Sequence, residues 1–89
     1  MRQIWKYPVY VGNNVVSMPS HARILKFGEQ AKALCIWALV EPANHYVNRE
    51  LEIVGTGHTI SDNFNNAKYV DTVIDSENYV WHCFDNGEQ

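Results

Sequence analysis

Apolar side chains in this chain recur at every second residue, and that spacing suits strands rather than helices. In residues 4–11, Trp5, Tyr7, Val9 and Val11 share one face and Lys6 and Tyr10 the other. In residues 47–54, Leu51 and Ile53 point one way and Glu50 and Glu52 the opposite way. Side chains alternate across a strand, so this is the pattern of half-buried β-structure. No segment shows the convincing three-and-four spacing of an amphipathic helix.

Punctuation between the alternating runs places the strands. Pro8 lacks an N–H, which marks residues 4–11 as an edge strand. Gly12-Asn13-Asn14 reads as a turn. A short strand over 15–18 stops at Pro19, and a third covers 22–27. After a loop at 28–32, Ala33–Val40 is apolar on both parities, as expected of a central strand covered on both sides. Further strands are predicted at 47–54, 69–74 and 79–84, the last two joined by Asp75-Ser76-Glu77-Asn78. Residues 61–66 read as one helical turn capped by Ser61 or as loop, because their asparagines disfavour helix. The expectation is an all-β domain of six or seven strands over residues 1–86, an antiparallel meander curled into a barrel or sandwich, with a frayed tail at 87–89.

At 89 residues the chain supports one modest core, and self-association into a homo-oligomer would help it. Net charge is −3, from 7 basic and 10 acidic residues mixed along the sequence. With no basic stripe, duplex nucleic acid is not expected as a partner. A short anionic ligand remains compatible, because a local pocket can be positive on an acidic protein. Aromatic residues make up 12%, which favours a packed β core or an aromatic-lined pocket. Cys35 and Cys83 lie in apolar runs and read as buried free thiols, which points to the cytoplasm. No signal peptide is read at the start, and the run at 33–40 is too short to span a bilayer.

Gly55-Thr56-Gly57-His58 is the segment with most functional content. Two glycines one residue apart let a ligand approach the backbone, whose N–H groups could receive a phosphate or carboxylate beside His58. It lacks the third glycine of a dinucleotide fingerprint and the Gly-Lys-Ser/Thr of a P-loop. The same residues suit a bulge or tight bend after a strand. Lys6 and Arg23 are further candidates for anion binding, Arg23 together with His21 of the same parity. A solvated strand face accounts for them as well. Trp37 reads first as core and becomes a stacking platform for a base only if its face opens to a cavity. His82 shares its face with Val80 and Phe84, and could act with His58 as an acid–base pair only if the two converge. Ligand spacing points to no metal, nothing in the sequence calls for a cofactor, and no activated nucleophile is visible.

Five segments carry a resemblance: Ile4-Trp5-Lys6-Tyr7-Pro8; Met18-Pro19 with Ala22-Arg23-Ile24-Leu25; Trp37-Ala38-Leu39-Val40 with Pro42; Val54-Gly55-Thr56-Gly57-His58; and Tyr79-Val80-Trp81-His82 with Phe84. Over nearly the whole chain they resemble a family of small phage- and prophage-encoded proteins of uncharacterised function. The resemblance implies a viral accessory protein in a bacterial cytoplasm and carries no catalytic assignment. Such proteins often disarm host defences, by analogy of context. The expected function is therefore non-enzymatic sequestration of a small, nucleotide-derived anionic signal, with Gly55, Thr56, Gly57, His58, Arg23, Lys6 and Trp37 as binding residues. The alternatives are a protein–protein inhibitor of a host enzyme and, more weakly supported, a phosphodiesterase built on His58 and His82.

Overall fold

A computed structural model describes residues 1–89. Seven strands, β1 (Gln3–Pro8), β2 (Gly12–Pro19), β3 (Arg23–Gln30), β4 (Ala33–Val40), β5 (Tyr46–Gly55), β6 (Lys68–Ile74) and β7 (Val80–Glu88), are joined by loops and one 3-10 turn, Asp62–Phe64. They form two antiparallel sheets in the orders β1-β4-β3 and β2-β5-β7-β6. The all-β expectation holds, and of barrel and sandwich the chain forms a sandwich. Only two of its five pairings, β3–β4 and β6–β7, join sequence neighbours. Elsewhere the chain weaves between the layers.

The core lies between the sheets. Phe27, Met18, Ile36, Leu51, Ile53 and Cys83 are fully buried there. Each large apolar side chain removed from water contributes roughly 1.5–3 kcal/mol. β4 lies between β1 and β3 as its apolar run predicts, and β1 with Pro8 is an edge. Covering is one-sided, however. Ile36, Ala38 and Val40 face the core, while Trp37 and Leu39 on the outer face stay partly exposed.

Local polar groups decide where strands begin and end. The turn expected at Gly12-Asn13-Asn14 falls earlier, around 9–11, because the Asn14 side chain organises it. Asn14 Oδ1 accepts from Tyr10 N at 2.9 Å, and Nδ2 donates to Tyr10 O at 2.8 Å. Asn14 thereby closes the corner that carries the chain from one sheet to the other. At the other end β7 runs on to Glu88, which pairs with Arg49. Its carboxylate accepts from His21 N at 2.8 Å, and Gln89 N donates to Asn48 O at 2.8 Å. Residues 87–89, expected to fray, are therefore tied to the domain.

The segment between β5 and β6 folds back over the outer face of the four-stranded sheet. Phe64 is buried beneath it, and Ser61 N donates to Glu52 at 2.8 Å. Alternation alone would leave Glu52 in water. The Ser61 bonds satisfy its carboxylate instead, and its residual exposure is 3%.

β3 and β4 meet in a two-residue turn, Ala31-Lys32, tighter than the loop expected at 28–32. Both residues have positive φ, 51° and 64°. A turn of this type suits Asn-Gly, and L-residues with a Cβ pay about 1–2 kcal/mol for it. Replacing Ala31→Asn together with Lys32→Gly should stabilise the domain by about 1 kcal/mol, raising Tm by about 4–8 °C in a scanning calorimetry comparison.

Candidate functional site

Gly55-Thr56-Gly57-His58 forms a β-turn, closed by His58 N donating to Gly55 O at 3.0 Å. Gly57 takes φ +86°, a value at which glycine is favoured in its position of the turn. Gly55 serves a close approach: a Cβ there would lie 3.0 Å from His58 Nδ1 and 3.3 Å from Trp81 Cζ3. Most of the donors expected to cradle an anion are engaged inside the protein. Thr56 N donates to Val80 O at 3.3 Å, and Thr56 Oγ1 shares a hydrogen bond with His82 Nε2 at 2.7 Å. The segment thus acts as a bend. It does border a small hollow of about 190 Å³ with Tyr79 and Trp81.

His82 is held from both sides. Its Nε2 meets Thr56, and its Nδ1 meets Thr72 Oγ1 at 2.9 Å, which in turn meets Tyr69 Oη at 2.6 Å. In a neutral imidazole one nitrogen donates and the other accepts, so the two threonines fix the ring. His58 lies against Gly55 on the side of Trp81, and neighbouring residues of a strand point to opposite faces. His58 and His82 therefore stand on opposite faces of the sheet and do not converge.

The largest hollow lies elsewhere, between the open edges β3 and β6. Its volume is about 430 Å³, and Arg23, Leu25, Arg49, Lys68, Tyr69 and Asp85 are among its lining residues. All three register shifts in the protein surround it. Leu25 is an extra residue in β3, Val70 an extra residue in β6, and Asn86-Gly87 of β7 oppose the single Glu50 of β5. Each such bulge bends its strand and re-aims a side chain. Here they part the two edges and leave a groove.

Its floor is the Arg49–Asp85 pair. Arg49 Nε and Nη2 donate to the Asp85 carboxylate at 3.0 and 2.7 Å, and Nη1 donates to Ala22 O at 2.8 Å. Both side chains are largely buried, at 13% and 8% exposure. Arg23 and Lys68, by contrast, have no carboxylate partner. Tyr69 is 53% exposed and braces its ring edge-to-face on Phe84 at 5.8 Å. The groove thus presents two cations without carboxylate partners, while the Tyr69 ring stands on the opposite face of β6 with Phe84 and Thr72.

The expected binding residues divide into three places. Arg23 lines the groove. Lys6 and Trp37 face outward from the three-stranded sheet, opposite each other in the β1–β4 register. Gly55 to His58 lie at the bend. Sequence reasoning missed Lys68 and Tyr69, for which no signal existed. Arg49 and Asp85 did leave a signal: each has the parity of the buried residues on its strand, and a charge at such a position must be paired.

Neither thiol is an activated nucleophile. Burial pushes Cys35 up, although nearby Lys6 opposes it. Burial first, then the charges of Asp85 and Asp71, push Cys83 up to about 12. No group of three or more histidine, cysteine or acidic side chains converges as a metal site would require. No helix is long and apolar enough to cross a membrane.

Two outcomes follow for the buried groups. Asp85→Ala leaves Arg49 charged and unpaired, and should cost about 3–5 kcal/mol in urea unfolding. Cys83 holds its proton in the folded state above the pH at which an unfolded thiol, near 9, loses it. Its contribution is therefore complete below about pH 9 and is lost progressively towards pH 12. Native protein at pH 8 should react only slowly with a thiol reagent such as DTNB, and two thiols should titrate at once in denaturant.

Comparison with known proteins adds one match. A family model described as "Domain of unknown function (DUF7352)" matches residues 1–89, and the chain belongs to that family. No curated protein and no solved structure matches the chain.

Proposed function

We propose that this DUF7352 member is a non-enzymatic binding protein for a small anionic, nucleotide-like ligand, held in the groove between β3 and β6. The observation that carries the reading is the presence of two cations without carboxylate partners, Arg23 and Lys68, in the lining of one hollow. Its volume, about 430 Å³, falls within the roughly 300–1,000 Å³ of small-molecule sites. Arg23 offers a planar fork of donors suited to a phosphate, and Lys68 a second point charge. Arg49 is already committed to Asp85 and shapes the floor without spending its charge on the ligand.

Holding a ligand tightly needs no chemistry, which suits a groove without a nucleophile. The wider biological reading rests on the resemblance of the sequence to phage-encoded proteins. It is an accessory role in a bacterial cytoplasm, removing a nucleotide-derived defence signal. Self-association is part of this proposal and would set several grooves on one particle.

A thermal-shift panel of mono-, di- and cyclic nucleotides, with inorganic phosphate for comparison, tests the site. A ligand at about a hundred times its Kd stabilises the fold by about 2.7 kcal/mol, which for a domain of this size raises Tm by roughly 10 °C or more. Lys68→Ala and Arg23→Ala should each remove most of that shift while leaving the unliganded Tm within about 2 °C, since both side chains lack partners. The ligand should be recovered intact after heat denaturation. No shift with any nucleotide, or a shift that survives both substitutions, would overturn the assignment.

A further inference from the structure

The net charge of −3 hides a separation of charge between the two layers. Residues 1–42, which include the three-stranded sheet, hold five basic and two acidic residues, +3 net. Residues 43–89, which include most of the four-stranded sheet, hold two basic and eight acidic, −6 net. The two acids of the basic half are both engaged within the protein. Glu29 accepts from Ser76 N at 2.9 Å, and Glu41 holds the N-terminal ammonium at 2.8 Å.

On that outer face, Trp37 of β4 stands opposite Lys6 of β1 and Lys26 of β3. Paired residues of neighbouring strands point to the same face, so the indole has a cation on either side. The strands are about 4.8 Å apart, which puts the two lysine rows roughly 10 Å from each other. Trp37 leans across Gly28, where an added Cβ would meet Cζ3 at 3.3 Å. One step along the face, Arg23 pairs with Leu39, which pairs with Ile4. Ile4 is 60% exposed although it is strongly apolar. Lys26 also lies 3.7 Å from Asp71 of β6, a loose pair at the rim that a phosphate can displace.

We infer that this outer face binds single-stranded nucleic acid, with a base stacked on Trp37 and backbone phosphates at Lys6, Lys26 and Arg23. Cations flanking one aromatic ring, with apolar surface beside it, repeat the alternation of charge and base in a single strand. A duplex keeps its base planes stacked inside and offers nothing for Trp37. An acidic protein surface would match the charge without using the ring. The site adjoins the groove between β3 and β6 at Arg23, which both could use, whereas Lys6, Lys26 and Trp37 belong to the outer face alone and Lys68 to the groove alone.

Fluorescence anisotropy of a labelled short oligothymidine, beside a duplex of equal length, tests the inference. With three phosphate contacts, log K should fall against log salt with a slope of about −2, roughly 15-fold between about 50 and 200 mM salt. Lys6→Ala with Lys26→Ala should weaken binding at least about tenfold and flatten the slope to about −0.7. Trp37→Leu should cost about tenfold and Trp37→Phe much less, because a phenyl ring still stacks. Thermal melts establish that each variant is folded. Lys68→Ala, which tests the groove, should leave oligothymidine binding unchanged. No anisotropy change at about 100 μM protein would overturn the assignment, as would equal affinity for the duplex. So would salt-sensitive self-association, basic face on acidic face, that excludes the oligonucleotide.

Discussion

The guanidinium of Arg49 holds together parts of the fold that no backbone ladder joins. It reaches from β5 to the Asp85 carboxylate on β7 and to the Ala22 carbonyl at the start of β3. β5 and β7 belong to one sheet and β3 to the other. Three donors in a rigid plane thus tie the layers together at the end where their edges part. A lysine could not do this, because a single ammonium cannot grip a carboxylate on two sides and a carbonyl on a third. Burying that charge is tolerable only because the pair is bidentate and the remaining donor is satisfied.

The bulges beside this clamp are the second determinant. Without Leu25 and Val70, β3 and β6 would keep a regular alternation. The added residue in each strand reverses the faces along it. In β3 it lets Phe27 and Ile24 both point inward although they are three residues apart. The same irregularity leaves Arg23 and Lys68 at the mouth of a groove. Architecture and candidate site thus come from one device, a strand that carries one residue more than its partner.

Much of this could be read from the chain. Alternation around Leu51 and Ile53 announced β5, and the apolar run at 33–40 announced the centre of a sheet. Gly55-Thr56-Gly57-His58 was visible as a special segment, and its two readings were both open. Geometry favours the bend, since Thr56 N, Thr56 Oγ1 and His58 N are all bonded within the protein. Glu52 illustrates the opposite case. Its parity places it in water, and only the returning Ser61 buries it. A loop that folds back over a sheet leaves no periodic trace in the sequence.

The sequence by itself determined the kind of structure: strands, their approximate limits, two buried thiols and a core built from alternating apolar residues. These follow from local spacing, which each strand carries within itself. Tertiary structure alone decided which strands became neighbours and therefore which charges met. Arg23 and Lys68 are far apart in the chain and meet only because β3 and β6 are both open edges. Lys6, Trp37 and Lys26 become one row only through the β1-β4-β3 order. Pairing is a property of the whole chain, since shifting one strand by a residue would turn every side chain on it to the other face.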